Sequence, residues 1–329
     1  MKAVIFLLAF CYSLMSFAEN SRFQGMVEIA PGRSLYVDWI KATPGKETVV
    51  LLNGLTYDTT SWDAFVTQFA PTGYGILRYD PAGMGNTLQN DGAVNGPILI
   101  QNQAVDLNLL TQKMGFTGKL NILGLSYGGA LAIVFAQYFP ERINKAILMS
   151  PYTEPLASQD SMIKQQIAQV RLMFPLNPAS DEELYAYFLR QIVYFEDPIA
   201  EPSMLKSPLK PEAVFQMTQG LRKYNVLGAS QNFPAKSVNL VIGAQDQYIP
   251  RETLYKFWNQ LPVGTQASRI LIDFSEHKIP EAFPVFSARW VADIMEDKSG
   301  TDDGASYEAN PLTGQITALM QSLCIKKTY

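Results

Sequence analysis

The most constraining feature of this chain is a serine at the apex of a tight turn between a strand-like run and a helix-like run. Residues 121–129 read Asn-Ile-Leu-Gly-Leu-Ser-Tyr-Gly-Gly and lead into a further apolar run. Such a turn strains the backbone of Ser126, and only small residues at Gly124 and Gly128 avoid a clash. The pattern predicts a buried strand, a sharp turn and a buried helix, with the Ser126 hydroxyl and the Tyr127 backbone N–H facing the same way.

Composition indicates a soluble globular protein with a large core. The chain has 329 residues, of which 47% are hydrophobic and 17% charged. This length fits one large domain with an insertion as well as it fits two domains. The formal net charge of −4 gives no reason to expect a nucleic-acid partner or attraction to an anionic membrane.

The first 18 residues have the pattern of a signal peptide. Lys2 supplies a positive start, residues 3–15 are mostly apolar, and Ser16-Phe17-Ala18 has small residues where a signal peptidase reads them. We expect cleavage after Ala18, export to the periplasm or medium of a bacterium, and no stable membrane span afterwards. An uncleaved anchor is the alternative.

The chain has two cysteines and one histidine, which limits both disulfides and metal sites. Cleavage of the signal peptide would remove Cys11 and leave Cys324 alone, so no internal disulfide is expected. We expect Cys324 to be a small buried apolar residue. One histidine and no paired cysteines provide too few ligands for zinc, and the sequence predicts no metal or cofactor.

Apolar runs alternate with segments of helical periodicity along most of the chain. Strands are predicted at residues 24–30, 35–40, 48–53, 75–79, 120–123, 145–149, 238–242 and 269–273. Helices are predicted at residues 61–69, 99–114, 129–138, 252–261 and 281–295. Because continuous apolar strands are typical of a sheet covered on both faces, we predict an α/β fold with a mostly parallel sheet between helices.

The alternation stops in the middle of the chain. Between the strands at 145–149 and 238–242 the pattern is only helical, at 160–173, 181–195 and 211–227. We predict a core of residues 19–152 and 237–296 with a helical cap inserted at 153–236. Residues 297–329 are predicted to form a polar linker and a tail, in which 312–325 could make one last amphipathic helix.

Ser126 needs a base to become nucleophilic, and His277 is the only histidine available. It follows the last predicted strand of the core. Loops at the carboxyl ends of parallel strands meet at one edge of the sheet, so His277 should lie at the same edge as Ser126.

The imidazole of a catalytic histidine needs a buried carboxylate to orient it. Asp246 follows the predicted strand at 238–242, and the interval between Asp246 and His277 accommodates one loop, one helix and one strand. Glu154, after the strand at 145–149, is the alternative acid.

An acyl-transfer reaction also needs two donors for the oxyanion. Tyr127 N–H is one candidate. Leu55 N–H is the other, because Gly54 lets the loop after the strand at 48–53 approach closely.

The order Ser126, Asp246, His277 resembles that of the α/β-hydrolases. Asn53-Gly54 matches a position where many members have His-Gly. Residues 80–85, Asp-Pro-Ala-Gly-Met-Gly, resemble the family's Asp-x-Arg-Gly-x-Gly segment, which we expect to be a structural turn. The resemblance covers roughly residues 24–296 and implies an α/β-hydrolase fold with an inserted cap.

The predicted cap is rich in large apolar side chains. Most should pack the helices together and onto the core, and some should line a substrate pocket. They are Met162, Leu172, Met173, Phe174, Tyr185, Tyr187, Phe188, Tyr194, Phe195, Phe215 and Met217. A mostly apolar pocket favours a small hydrophobic ester as substrate.

The leading functional prediction is therefore a serine hydrolase of the carboxylesterase or lipase type. The resemblance also leaves open an aminopeptidase, a lactone, thioester or C–C bond hydrolase, and a binder without catalysis. Ser126 argues against dehalogenases and epoxide hydrolases of this fold, which use Asp at the turn. The sequence does not define the oligomeric state.

Overall fold

A computed structural model describes residues 22–155, 157–195, 207–298 and 304–319. The predicted signal peptide, Cys11 and Cys324 lie outside these residues. None of the helices within the described ranges is long and apolar enough to cross a membrane.

One ten-stranded sheet organises the molecule. Its strands are β1 (Arg22–Ala30), β2 (Arg33–Ile40), β3 (Thr48–Leu52), β4 (Gly75–Asp80), β5 (Leu120–Leu125), β6 (Ile143–Met149), β7 (Val238–Gly243), β8 (Gln266–Ile272), β9 (Ala305–Asn310) and β10 (Gln315–Leu319). Their order across the sheet is β1-β2-β4-β3-β5-β6-β7-β8-β9-β10. All pairs from β4 to β9 are parallel, while β1–β2, β2–β4 and β9–β10 are antiparallel. The predicted mostly parallel sheet is confirmed.

The helices cover both faces of this sheet. They are α1 (Asp63–Phe69), α2 (Gly85–Asp91), α3 (Ile100–Lys113), α4 (Tyr127–Tyr138), α5 (Ala157–Met173), α6 (Asp181–Phe195), α7 (Lys210–Arg222), α8 (Val226–Ala229), α9 (Arg251–Gln260), α10 (Ile279–Ala282) and α11 (Pro284–Met295). Apolar residues of α3, α4 and α9 pack on one face, and those of α1 and α11 pack on the other. The predicted α/β layering is confirmed.

The C-terminal segment differs from the prediction. A last helix was expected at residues 312–325, but the described residues 304–319 form a hairpin of β9 and β10, and residues 320–325 lie outside the described part of the chain. β9 pairs in parallel with β8, from Ser268 with Ala305 to Ile272 with Ala309. The free edge of β8 offers unpaired backbone groups, and pairing with them overrides a weak helical pattern.

The helices between β6 and β7 do not form one uniform cap. α5 and α6 pack around a small cluster of Ile163, Ile167, Leu184, Leu189 and Phe215, the last contributed by α7. α7 also belongs to the core of the main domain, to which it gives Val214, Met217 and Leu221. A Cβ at Gly220 would overlap the Ile98 carbonyl oxygen, so the backbone of α7 lies directly on that of the core.

Several cap side chains expected to be packed are exposed instead. The exposed fractions are 42% for Met162, 83% for Leu172, 62% for Met173, 60% for Phe174 and 54% for Tyr187. Periodicity could not separate them from Phe215 and Met217, which are buried as expected. The helical pattern specifies which residues share a face but not what covers that face.

We predict that Ala309→Asp destabilises the protein because β9 is part of the core. Ala309 is 1% exposed and packs in the cluster that contains α11. An unpaired buried charge there should lower the free energy of unfolding by about 3 kcal/mol, measured by urea denaturation. The matched control is Ala318→Asp on β10, whose side chain is exposed. Equal stability of the two variants would contradict a structural role for this hairpin.

Candidate active site

Ser126 occupies the turn between β5 and α4 in a strained conformation. Its φ is 53° and its ψ is −111°, a left-handed backbone that a non-glycine residue rarely adopts. A Cβ at Gly124 would overlap the carbonyl of Gly128, and one at Gly128 would overlap the carbonyl of Leu52. The two glycines therefore permit the close approach that the sequence predicted.

The same contact places the loop after β3 against the turn. The position a Gly128 Cβ would take lies 2.9 Å from the Asn53 carbonyl oxygen, so residues 53–56 begin beside Ser126. Tyr127 is the first residue of α4, and the N–H groups of a first helical turn have no partner within the helix. This arrangement is compatible with Tyr127 and Leu55 as oxyanion donors, which remain a prediction.

Asp246 and His277 are in direct contact. Oδ2 of Asp246 lies 2.8 Å from Nδ1 of His277, and the two side chains are 1% and 12% exposed. Oδ1 accepts hydrogen bonds from the backbone N–H groups of Tyr248 and Ile249, each at 2.9 Å. The carboxylate is held on both oxygens, and the ring is oriented so that Nε2 is left for another partner.

The environment of Asp246 keeps it ionised. Burial acts to raise its pKa, but the hydrogen bond and charge of His277 and the N–H of Ile249 outweigh burial and lower the pKa below its ordinary value. An ionised Asp246 can stabilise a positive charge on His277. The ring of Tyr248 packs edge-on against His277 at a centroid distance of 5.2 Å and limits the ring's movement.

Glu154, the alternative acid, forms neither a hydrogen bond nor an ion pair with His277. It forms an ion pair with Lys256 at the surface, where the two side chains are 30% and 48% exposed. The structure therefore pairs the only histidine with Asp246.

Ser126 is joined to the Asp246 loop through the residues that follow β6. Ser126 N–H donates to Met149 O at 2.9 Å, and Tyr152 N–H donates to Ser126 O at 3.0 Å. Ser150 N–H in turn donates to Val241 O in β7 at 2.9 Å. Ser126, Asp246 and His277 thus follow the carboxyl ends of β5, β7 and β8, which are parallel and belong to one sheet.

The hydrogen bond between the serine and the histidine of a triad is not formed in this structure. No hydrogen bond joins Ser126 Oγ to the His277 ring among the described residues. Such contacts are often long without a ligand and tighten when substrate binds. The structure brings Asp246 and His277 together and delivers Ser126 to the same edge of the sheet.

Asp80 supports the loop that carries Leu55. Its side chain is fully buried and accepts hydrogen bonds from Thr59 N–H at 2.7 Å, Asn86 N–H at 2.8 Å and Asn53 Nδ2 at 3.4 Å. Asn53 also accepts from Trp62 Nε1 at 2.9 Å. The segment after β4 is a structural turn, as expected, and Asn53 serves as a polar link between that turn and the loop.

Sequence reasoning missed a buried ionic network behind this loop. Arg78 is 4% exposed and contacts Asp38, which is 2% exposed, at 2.6 Å. Arg78 also donates to Thr59 O at 2.6 Å, and Arg22 donates twice to Asp38 at 2.7 Å. Both Arg78 and Asp38 lie in strands whose pairing aligns them directly, which the linear sequence does not reveal.

A second link connects the turn at Ser126 to the segment after β4. The Tyr127 hydroxyl donates to Gln103 Oε1 at 2.6 Å, and Gln103 Nε2 donates to Ala82 O at 2.7 Å. The described residues contain no group of three His, Cys, Asp or Glu side chains able to hold a metal ion.

Comparison with known proteins places this chain in a family. The model of the serine aminopeptidase S33 family matches residues 43–280. A 2-hydroxy-6-oxononadienedioate/2-hydroxy-6-oxononatrienedioate hydrolase from Klebsiella pneumoniae is 33% identical over 141 residues, which make up 42% of this chain and 47% of that protein. The chain therefore spans about half the length of the curated relatives it matches.

Solved structures share the fold. A thermophilic esterase from Thermogutta terrifontis has a TM-score of 0.59 and 18% identity, covering 84% of this chain and 98% of that one. An α/β hydrolase enzyme from a Medee basin deep-sea metagenome library has a TM-score of 0.62 and 17% identity, covering 84% and 99%. At this identity the likeness establishes the α/β-hydrolase fold and not a substrate.

We predict that Asp246→Asn lowers kcat by roughly 10³–10⁴-fold, because an amide neither stabilises the imidazolium nor fixes the same tautomer. The measurement is steady-state hydrolysis of a substrate that the protein turns over. Glu154→Gln is the matched control and should keep near-normal activity, since Glu154 contacts Lys256 instead. Loss of activity in the Glu154 variant alone would reverse the assignment of the acid.

A second prediction concerns stability and pH. Burial raises the pKa of Asp80 from 3.8 to about 6, so the folded protein binds this proton more tightly than the unfolded chain. The resulting stabilisation is fully present below about pH 4 and is lost as the pH rises through about 6, for a total of about 3 kcal/mol.

Asp80→Asn removes this titration while keeping the shape of the side chain. The free energy of unfolding of the wild type should therefore fall by about 3 kcal/mol relative to the variant between about pH 4 and about pH 7. Denaturant unfolding of both proteins across this range measures the difference. Parallel pH profiles would show that Asp80 has an ordinary affinity for its proton.

Proposed function

The chain belongs to the serine aminopeptidase S33 family, whose fold is that of the α/β-hydrolases, and on this premise we propose that it hydrolyses carboxylic esters through Ser126, His277 and Asp246. The observation that carries the proposal is the buried contact between Asp246 and His277 at the sheet edge that also presents Ser126. This is the arrangement that a serine nucleophile and its base require.

In the proposed reaction, Ser126 Oγ attacks the ester carbonyl while His277 Nε2 accepts the hydroxyl proton. Asp246 stays ionised and stabilises the imidazolium. The proton then passes from His277 to the leaving alcohol as the carbonyl–oxygen bond breaks, which leaves an acyl group on Ser126. Water, deprotonated by His277, attacks the acyl group and releases the acid and the free serine.

Two backbone N–H groups would stabilise the oxyanion of each tetrahedral intermediate. Tyr127 is the first residue of α4, and Leu55 lies in the loop tied down by Asn53 and Asp80. Removal of one such donor costs roughly 3 kcal/mol of transition-state stabilisation. The hydrogen bonds of Asn53 thus support the proposed function by fixing a donor without contacting the substrate.

The residues around the proposed triad support the proposed substrate class. Tyr248 packs against the His277 ring, Tyr152 N–H donates to Ser126 O, and Leu55 lies in the loop after β3, so the residues beside the triad include apolar and aromatic side chains. Such surroundings favour a small, neutral, hydrophobic ester over a charged substrate. We propose no cofactor, and export to a bacterial periplasm or medium rests on the pattern of residues 1–18.

C–C bond hydrolysis is a second candidate. It is favoured by the Klebsiella pneumoniae relative, whose name describes hydrolysis of a dienedioate. Peptide hydrolysis is a further candidate, because the matching family is described as a serine aminopeptidase family. Ester, peptide and C–C bond hydrolysis can be distinguished with a substrate panel. The panel contains nitrophenyl esters of rising chain length, amino-acid nitroanilides and a 2-hydroxy-6-oxo dienoate. Turnover of only the dienoate or only the nitroanilides would replace the ester assignment.

We predict that Ser126→Ala abolishes labelling by a fluorophosphonate probe and lowers kcat by roughly 10⁶-fold. The probe reacts with an activated serine hydroxyl, so the readout does not depend on knowing the substrate. His277→Ala should also prevent labelling because the base is lost. A wild-type protein that stays unlabelled under conditions that label a known serine hydrolase would favour a binder without catalysis.

A further inference from the structure

The last residues of α5 and the turn that follows them carry a compact group of exposed apolar side chains. The exposed fractions are 83% for Leu172, 62% for Met173, 60% for Phe174 and 94% for Leu176. We call residues 172–176 the apolar tip. Single exposed apolar residues are ordinary on protein surfaces, but four large ones within five positions form a patch that marks an interaction site.

The apolar tip is held in a defined shape. Phe174 N–H donates to Val170 O at 2.8 Å, and Asn177 N–H donates to Phe174 O at 3.0 Å, which closes a turn with Pro175 at its second position. Arg171 donates to Asn177 O at 3.2 Å and to Ala179 O at 2.6 Å. The apolar side chains are therefore presented on a fixed turn.

The chain enters α6 directly after this turn through a capping box. Ser180 Oγ accepts from Glu183 N–H at 3.2 Å, and Glu183 Oε2 accepts from Ser180 N–H at 2.7 Å. Arg171 forms an ion pair with Asp181 at 2.7 Å. The polar groups of this turn thus hydrogen-bond or pair with other groups of the same turn, whereas its apolar side chains are exposed to solvent.

The charges near the apolar tip favour an uncharged binding surface over an anionic one. Residues 172–180 contain no charged side chain, and the first turn of α6 that follows has Asp181, Glu182 and Glu183. The whole chain carries a formal net charge of −4. An anionic surface would repel this region, whereas a surface of zwitterionic lipid has no net charge to oppose insertion of the apolar side chains.

A second copy of the chain fits the tip less well. Four large apolar side chains at these exposures present on the order of 500–600 Å², and a stable interface buries about 800 Å² on each partner. The tip is a projecting turn, which a deformable lipid surface can accept without a complementary groove. Insertion to the depth of such side chains is typical of proteins that lie on a bilayer without spanning it.

We propose that the apolar tip docks the protein onto the surface of a zwitterionic phospholipid bilayer. This inference goes beyond the proposed hydrolysis and does not depend on it. Binding can therefore be measured with the Ser126→Ala protein, in which turnover cannot alter the lipid.

The experiment is co-sedimentation of the full chain with phosphatidylcholine vesicles. The variant Leu172→Asp/Leu176→Asp should reduce the vesicle-bound fraction at least tenfold. The matched control, Val263→Asp/Leu312→Asp, adds the same charge at side chains that are 80% and 73% exposed, and it should bind like the wild type. Both variants should unfold at the same temperature as the protein without these changes, which shows that the added charges do not disrupt the fold.

A second measurement covers the case in which the double variant folds poorly. Tryptophan emission of Leu176→Trp should shift to the blue when phosphatidylcholine vesicles are added, and the shift should be absent in Val263→Trp. Absence of vesicle binding by the wild type, equal binding by the tip variant, or binding only to phosphatidylglycerol vesicles would overturn the proposal. A dimer in sedimentation velocity that the tip variant dissociates would assign the tip to a second copy instead.

Discussion

The backbone of Ser126 is the constraint on which the rest of the site depends. At φ 53° the chain reverses from β5 into α4 with the serine at the apex, and this conformation requires contact between main chains on both sides. Gly128 lies against Leu52, and Gly124 lies against Gly128. The strain at one residue is therefore maintained by the packing of α4 on β3 and β5, which are neighbours near the centre of the sheet.

The surrounding polar groups extend this rigidity to the loop after β3. Asp80 binds Thr59 and Asn86 through their N–H groups, while Arg78 binds the carbonyl of Thr59 and the carboxylate of Asp38. Burying these charges is costly unless each is paired and hydrogen-bonded. The network therefore fixes position more than it adds stability, and the position it fixes is that of the backbone beside Ser126.

Much of the arrangement of the site could be predicted from the pattern of residues along the sequence. The glycines around Ser126 report a close approach of backbones, and the order of Ser126, Asp246 and His277 follows from the alternation of strands and helices. Asp246 could be selected over Glu154 only provisionally, because both follow a parallel strand. The contact with His277 distinguishes them.

Other features depend on contacts that sequence does not encode locally. Arg78 and Asp38 look like ordinary surface charges until the register of β2 and β4 aligns them. The strands β9 and β10 lack a continuous apolar run, and β9 pairs with the available edge of β8. The exposure of Leu172 and the burial of Met217 likewise follow from which helices reach the core, and helical periodicity is the same in both cases.

The close contact of Gly220 with Ile98 has a consequence for how this fold can vary. The inserted region has two kinds of attachment: α7 lies on the main chain of the core, while α5 and α6 pack around a small cluster to which α7 contributes only Phe215. Changes in the first two helices therefore need to preserve their packing against Phe215 and the ion pair of Asp160 with Arg222, but not a contact with the core backbone like that of α7. The third helix has no such freedom, because any side chain at position 220 would push it away from the Ile98 backbone.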